Sequence, residues 1–115
     1  MISIEHVDAL EVRLYETRAT MGAAAGKAVT ERIKKILKKQ DEVRMIFAAA
    51  PSQNELLEYL VRHKEDLDWG RVTAFHMDEY MDLDEGHEQL FASFLKRKLF
   101  DHLPVSYTHL TLPTN

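Results

Sequence analysis

Several features are missing from this sequence, and each absence excludes a class of protein. It has no cysteine, which excludes disulfide bonds and thiolate metal sites and fits a reducing compartment. No apolar run approaches the about 20 residues that a membrane-spanning helix needs. The N-terminus carries Glu5 and Asp8 in place of a long apolar run, so it is not predicted to be a signal peptide. Basic residues are not in excess, since the net charge is -4, which argues against a dedicated nucleic-acid or membrane-surface binder.

The composition that remains is that of a globular, cytoplasmic protein. Of the 115 residues, 45% are apolar, which is normal for a packed core, and 30% are charged. This length allows one domain or part of one. No internal repeat or linker interrupts the chain before residue 104.

Hydrophobic periodicity predicts alternating strands and helices. Three segments have the pattern of strands: residues 9–17, with Val12 and Leu14 on one face, and the two apolar runs 43–50 and 71–77. Short apolar runs such as 43–50 and 71–77 are typical of strands that are buried on both faces in a parallel sheet. Three segments have helical spacing: 21–40, 51–66, and a last one with its apolar face between Leu90 and Leu99. Trp69 is expected to cover the core.

This order predicts an α/β fold with a mainly parallel sheet and right-handed crossovers. In such sheets ligands bind beyond the carboxyl ends of the strands. Two loops lie there, "APSQNE" after the second strand and "HMDEY" after the third. If the two strands are neighbours, these loops share one edge of the sheet.

The segment "PSQNE" opens a helix, whose first N–H groups lack partners and attract anions. Ser52, Gln53 and Asn54 could therefore bind a phosphate. The alternative is purely structural, because Ser52 and Glu55 have the spacing of a capping box. No glycine pair brings the backbone close to an anion, and the pattern leaves both interpretations open.

The segment "HMDEY" places acidic residues directly after a predicted buried strand, where a carboxylate can serve as a general base. Asp78 and Glu79 are the catalytic candidates: Asp78 is the better candidate for that base, and Glu79 is expected to orient a neighbour or to cap a backbone N–H. His76 and Asp78 could point to one side of the strand, but further ligands are missing nearby, so no metal site is predicted. Met77 and Tyr80 are expected to pack. An ordinary acidic turn would give the same pattern.

Three stretches, "VRMIFAAAPSQNELLEYL", "DWGRVTAFHMDEYMDL" and "FASFLKRKLFDHL", resemble the N-terminal half of the glucosamine-6-phosphate deaminase/isomerase family. The resemblance covers roughly residues 10–104 and is most specific at "FHMDEY". It implies a Rossmann-like three-layer fold, related to 6-phosphogluconolactonase, and makes Asp78 the proton-shuttling base. It also implies that residues 51–54 help to hold the sugar phosphate. Well-known members have a Thr-Gly-Gly-Thr-rich loop there, so the preferred sugar is not fixed.

The resemblance implies a reaction and a ligand. In that reaction the carboxylate corresponding to Asp78 moves a proton between C2 and C1 of glucosamine 6-phosphate, and ammonia leaves to give fructose 6-phosphate. No metal or organic cofactor is required. The expected partner is a small-molecule sugar phosphate rather than nucleic acid or a membrane, and homo-oligomerisation of the parent protein stays open.

The end of the sequence, "VSYTHLTLPTN", departs from the family. It resembles a translated sequencing-library adapter, which predicts that residues 1–104 are the N-terminal part of a deaminase/isomerase domain and that residues 105–115 are a non-native tail. The family's later Gly-His segment, with the ring-opening histidine, is absent. A fragment of this kind is expected to be inactive.

Two other functions remain open. A lactonase-like hydrolase usually has Asp-Glu-Arg where this chain has Asp78, Glu79 and Tyr80, so this alternative is disfavoured. The second alternative is a non-catalytic regulator that binds a sugar phosphate, and the altered "PSQNE" loop is compatible with this function. Fold alone does not separate an enzyme from a sensor.

Overall fold

The computed structural model describes residues 1–103 and, as backbone only, residues 110 and 111. The strands are β1 (Ser3–Val7), β2 (Leu10–Leu14), β3 (Val43–Phe47), β4 (Val72–His76) and β5 (Leu110–Thr111), and the helices are α1 (Arg18–Leu37), α2 (Asn54–Arg62) and α3 (Phe91–Lys98). Strands β3, β4 and β5 form a parallel sheet in the order β3-β4-β5, and β1 pairs with β2 alone. The predicted α/β class is confirmed. The predicted non-native tail, residues 105–115, lies outside the described residues apart from those two backbone positions.

The parallel pair β3 and β4 is the centre of the fold. Val43 pairs with Val72 and Phe47 with His76, so both strands end at the same level. The N–H of Met77 donates to the Phe47 carbonyl at 2.9 Å and carries the pairing one residue further. The loops that follow β3 and β4 therefore begin side by side, as the sequence predicted.

The apolar core lies against one face of this sheet. Trp69 belongs to it and is buried, as expected. The core side chains come from all three helices, from β3 and β4, and from the turns that flank them: Ile33, Val43, Phe47, Leu57, Leu60, Leu67, Trp69, Val72, Ala74, Leu95, Leu99, Phe100 and Leu103. The prediction that β3 is buried on both faces is wrong. Arg44 and Ile46 point away from the core, and Ile46 is 65% exposed.

The first strand is shorter than predicted and lies outside the parallel sheet. Instead β2 forms an antiparallel hairpin with β1, a strand that the hydrophobic pattern did not predict. The chain turns at Asp8, whose φ of 53° is in the left-handed region that Asp tolerates better than most residues. Val12 and Leu14 are both exposed, so the hairpin contributes nothing to the core.

The helices differ from prediction mainly at their ends. α1 starts at Arg18 because Thr17 and Thr20 form a reciprocal capping box there. α2 is shorter than the predicted segment 51–66 and is flanked by 3₁₀ turns at Pro51–Gln53 and Lys64–Asp66. In the described part of the chain, no helix has both the length and the apolar character to cross a membrane.

Candidate active site

The site predicted from "HMDEY" lies where β4 ends. His76 is the last residue of β4, and Asp78 follows it as an exposed side chain. The bond from the Met77 N–H to the Phe47 carbonyl fixes the backbone immediately before Asp78. Asp78 therefore stands at the carboxyl edge of the parallel sheet, where ligands bind in open α/β sheets.

Glu79 caps helix α3. Its carboxylate accepts hydrogen bonds from the N–H groups of Phe91 at 2.7 Å and Ala92 at 2.9 Å, and from that of Tyr80 at 3.1 Å. The first two donors belong to the first turn of α3, which lacks intrahelical acceptors and carries the positive end of the helix dipole. Capping is one of the two roles that the sequence favoured for Glu79. The contact also ties the loop after β4 to a helix that begins twelve residues later.

His76 was not among the catalytic or phosphate-binding residues predicted from the sequence. Its side chain is 2% exposed, and neither ring nitrogen has a hydrogen-bond partner among the described residues. The Nε2 atom lies 3.7 Å from Glu79 Oε2, which is too long for a hydrogen bond. Within residues 1–103, His76 joins no group of three or more side chains suited to hold a metal ion.

The two residues expected to pack behave differently. The Met77 side chain is 62% exposed, so the packing prediction is wrong for it. Its position follows from the strand alternation, because the neighbouring His76 takes the inward direction. The Tyr80 ring packs against Phe91 with 5.0 Å between ring centroids, although the residue is 49% exposed.

The "PSQN" segment forms a 3₁₀ turn that leads into α2. Ser52 is exposed, while Gln53 and Asn54 are partly buried. The capping box proposed for Ser52 and Glu55 is wrong, since no side chain caps this helix start.

Glu55 is instead engaged by a residue of α1. Its carboxylate accepts a hydrogen bond at 2.9 Å from Arg18, which also donates to the Pro51 carbonyl at 2.9 Å. The Arg18 hydrogen bond lowers the pKa of Glu55 below its ordinary value. The guanidinium offers a stronger, charge-assisted partner than the Ser52 backbone, which explains why the box does not form.

A cavity of about 590 Å³, here called the α3 cavity, opens beside this edge of the sheet. It lies between the end of β4, the loop 79–90 and α3. Its apolar surface comes from Leu83 and Leu90, and its polar or charged lining comes from His76, Glu79, Tyr80, Glu85, Ser93 and Lys96. The structure thus places Asp78 and Glu79 together at the edge, and Ser52–Asn54 after the neighbouring strand.

Comparison with known proteins gives a consistent result. No family model matches the chain. It is 27% identical over 105 residues to the glucosamine-6-phosphate deaminase of Mycoplasmopsis pulmonis, covering 90% of this chain and 40% of that protein. The enzyme of the same name from Clostridium perfringens is 27% identical over 95 residues, covering 81% and 38%. That from Bacillus thuringiensis reaches 36% over 52 residues, covering 45% and 20%.

The fold comparison agrees with the sequence comparison. The structure matches a monomeric glucosamine-6-phosphate deaminase of the NagB superfamily with a TM-score of 0.75 and 17% identity, covering 87% of this chain and 41% of that one. The chain thus spans about 40% of the length of the Mycoplasmopsis pulmonis enzyme. These relatives are enzymes, and the chain is similar in sequence to part of glucosamine-6-phosphate deaminases and shares the fold of one of them.

Proposed function

We propose that this chain is part of an enzyme that converts glucosamine 6-phosphate into fructose 6-phosphate and ammonia, with Asp78 as the base. The observation that carries the proposal is the placement of Asp78. It is an exposed carboxylate directly beyond a strand of a parallel sheet, between the backbone bond from Met77 to Phe47 and Glu79, whose side chain bonds to α3. The similarity to deaminases over 90% of the chain supports the choice of reaction.

The reaction suits a carboxylate that is held in place but open to a ligand. In the open-chain amino sugar, Asp78 takes the proton from C2, which leaves an enol-type intermediate. The same carboxyl group returns the proton to C1, and water then replaces the nitrogen at C2, releasing ammonia. The proton taken from C2 is the one delivered to C1, so one group can serve as base and then as acid, while the C1 oxygen takes up a second proton as its carbonyl becomes a hydroxyl. The protein's own side chains can supply this chemistry.

The neighbouring loop is the proposed phosphate site. Ser52 offers a hydroxyl, and Gln53 and Asn54 offer amide groups at the start of α2. The positive end of the helix dipole favours an anion there. Glu79, the second catalytic candidate predicted from the sequence, is proposed to act by holding the loop. A cytoplasmic location belongs to the same proposal.

A non-catalytic role in sugar-phosphate binding is the second candidate. The feature that favours it is the loop "PSQN", which lacks the glycines of well-known deaminases. In a regulator, sugar phosphate would bind in the same place without turnover. The two candidates make the same prediction for binding and opposite predictions for ammonia release.

The test uses the full-length protein, meaning a protein that carries these residues together with the remaining length found in its relatives. Asp78→Asn should lower kcat by several orders of magnitude and leave binding of the sugar phosphate nearly unchanged. Asp82→Asn, an exposed carboxylate in the same loop, is the matched control. Near-normal turnover by Asp78→Asn would place the base elsewhere. A parent protein that binds the sugar phosphate and releases no ammonia would favour the regulator.

A further inference from the structure

The α3 cavity has the size and the lining of a small-molecule site. Its volume of about 590 Å³ lies within the roughly 300–1,000 Å³ typical of such sites. Leu83 and Leu90 contribute apolar surface, and the polar or charged side chains of the lining are His76, Glu79, Tyr80, Glu85, Ser93 and Lys96. The proposed function uses Asp78 and the start of α2, and of the cavity lining it uses only Glu79, to hold the loop.

The buried imidazole is the observation that points to a ligand. Buried polar side chains are nearly always hydrogen-bonded, and those that are not need an explanation. His76 is 2% exposed, lines the cavity, and has two ring nitrogens without a partner in the described part of the chain. A ligand in the α3 cavity could supply the missing partner.

The surrounding groups indicate what kind of ligand fits. A carboxylate has about four acceptor sites, and Glu79 uses three of them for the N–H groups of Tyr80, Phe91 and Ala92. A hydroxyl placed beside both Glu79 and His76, whose nearest atoms are 3.7 Å apart, could bridge them. It would donate to the carboxylate and pair with the ring nitrogen. Ser93 Oγ donates to the His87 carbonyl at 2.7 Å, so its lone pairs remain as acceptors.

Hydroxyl groups that both donate and accept, spaced along a carbon chain, match this lining. We propose that the α3 cavity binds the hydroxyl-bearing carbon chain of the sugar and that His76 contacts one of its hydroxyls. This inference rests on the proposed function, because it takes the open-chain sugar phosphate as the ligand. It adds a specificity-determining residue next to the base.

The direct test is the response of the His76 ring in the full-length protein. Imidazole nitrogen resonances are recorded while glucosamine 6-phosphate is added, and again with inorganic phosphate alone. The sugar phosphate should shift the His76 signals, and inorganic phosphate should not. The ring of His63, which bonds to the Tyr59 carbonyl and lies outside the cavity lining, should stay constant in both titrations.

Kinetics of two variants provide an independent measurement. His76→Leu should raise KM about tenfold with little change in kcat, because a contact made equally in the ground and transition states is lost. His76→Gln, whose amide can still donate and accept, should recover much of the affinity. His63→Gln controls for the loss of a partly buried histidine.

The outcomes separate this inference from the proposed function. If the enzyme releases ammonia while the His76 signals stay fixed, the sugar chain binds elsewhere and the inference fails alone. If the sugar phosphate shifts the His76 signals and no ammonia appears, the inference stands and the deaminase function fails. Equal shifts with inorganic phosphate would mean that the cavity takes the phosphate end, which overturns the inference. A fall in kcat without a rise in KM for His76→Leu would also contradict it.

Discussion

Gly26 is a buried glycine on the face of α1 that contacts α2. A Cβ atom at this position would lie 2.5 Å from Tyr59 Cδ1 and 2.7 Å from Tyr59 Cβ. Real Cβ atoms essentially never approach a non-bonded heavy atom to less than 3.0 Å, so Gly26→Ala must move something. Rotation of the Tyr59 ring cannot relieve the overlap completely, because Tyr59 Cβ is also too close and is attached directly to the α2 backbone. The two helices themselves must therefore separate.

Two opposing terms set the size of the effect. Overpacking of a tight contact costs about 1–3 kcal/mol. Alanine is favoured over glycine in a helix interior by about 1 kcal/mol, which offsets part of this cost. The overlap with Tyr59 Cβ places the packing cost in the upper part of its range. We expect Gly26→Ala to lower the free energy of unfolding by about 1–2 kcal/mol.

The assay is urea denaturation of the full-length protein, followed by circular dichroism and Trp69 fluorescence. Ala23→Gly, at an exposed position of α1, measures helix propensity alone and should cost about 1 kcal/mol. Gly86→Ala measures backbone strain alone, since Gly86 has a φ of +83° and a Cβ there would meet nothing within 4 Å. A Gly26→Ala protein as stable as its parent, or more stable, would refute the close approach of α1 and α2.

Two further substitutions test the contacts around the site. Glu79→Ala should lower the free energy of unfolding by about 1–3 kcal/mol, because two N–H groups of α3 lose their acceptor, whereas Asp82→Asn should change it by less than about 0.5 kcal/mol in the same urea assay. Equal effects of the two would contradict the cap. Arg18→Met should raise the pKa of Glu55 towards its ordinary value in an NMR titration, because Arg18 is the main cause of its lowering. Because the pKa of Glu55 is lower in the folded than in the unfolded protein, its ionised carboxylate stabilises the fold at pH values above the unfolded pKa. This stabilisation should be lost as the pH falls through the folded pKa, and Arg18→Met should not show that pH dependence.

Periodicity was sufficient for the central strands and the helices. The apolar run before Pro51 predicted β3, and the helically spaced apolar residues after it predicted α2. Both predictions succeeded because burial of these side chains dominates the folding of the two segments. It failed for β1, which is five residues long and includes Glu5 and His6. Both strands of the hairpin are largely exposed. A strand without a buried face shows little alternation of apolar and polar residues, so the hydrophobic pattern does not predict it.

The candidate site was predictable in position but not in contacts. That Asp78 follows a strand at the sheet edge could be inferred from the order of elements alone. The partners of Glu79 could not, because Phe91 and Ala92 reach it only through the path of the loop. In the same way, Glu55 had the spacing of a cap, but Arg18, 37 residues earlier, pairs with it instead. Contacts between distant segments decide which local possibility is realised.

The unit formed by β3, α2 and β4 also bears on the order of events during synthesis. It occupies consecutive residues 43–76, and its last inter-strand bond joins Met77 to Phe47. A growing chain contains every residue of this unit once residue 77 has left the ribosome, and folding during translation starts from the N-terminal part. Asp78 is the next residue to emerge. Its backbone can thus acquire its anchor on the sheet while α3 and everything after it are still being made.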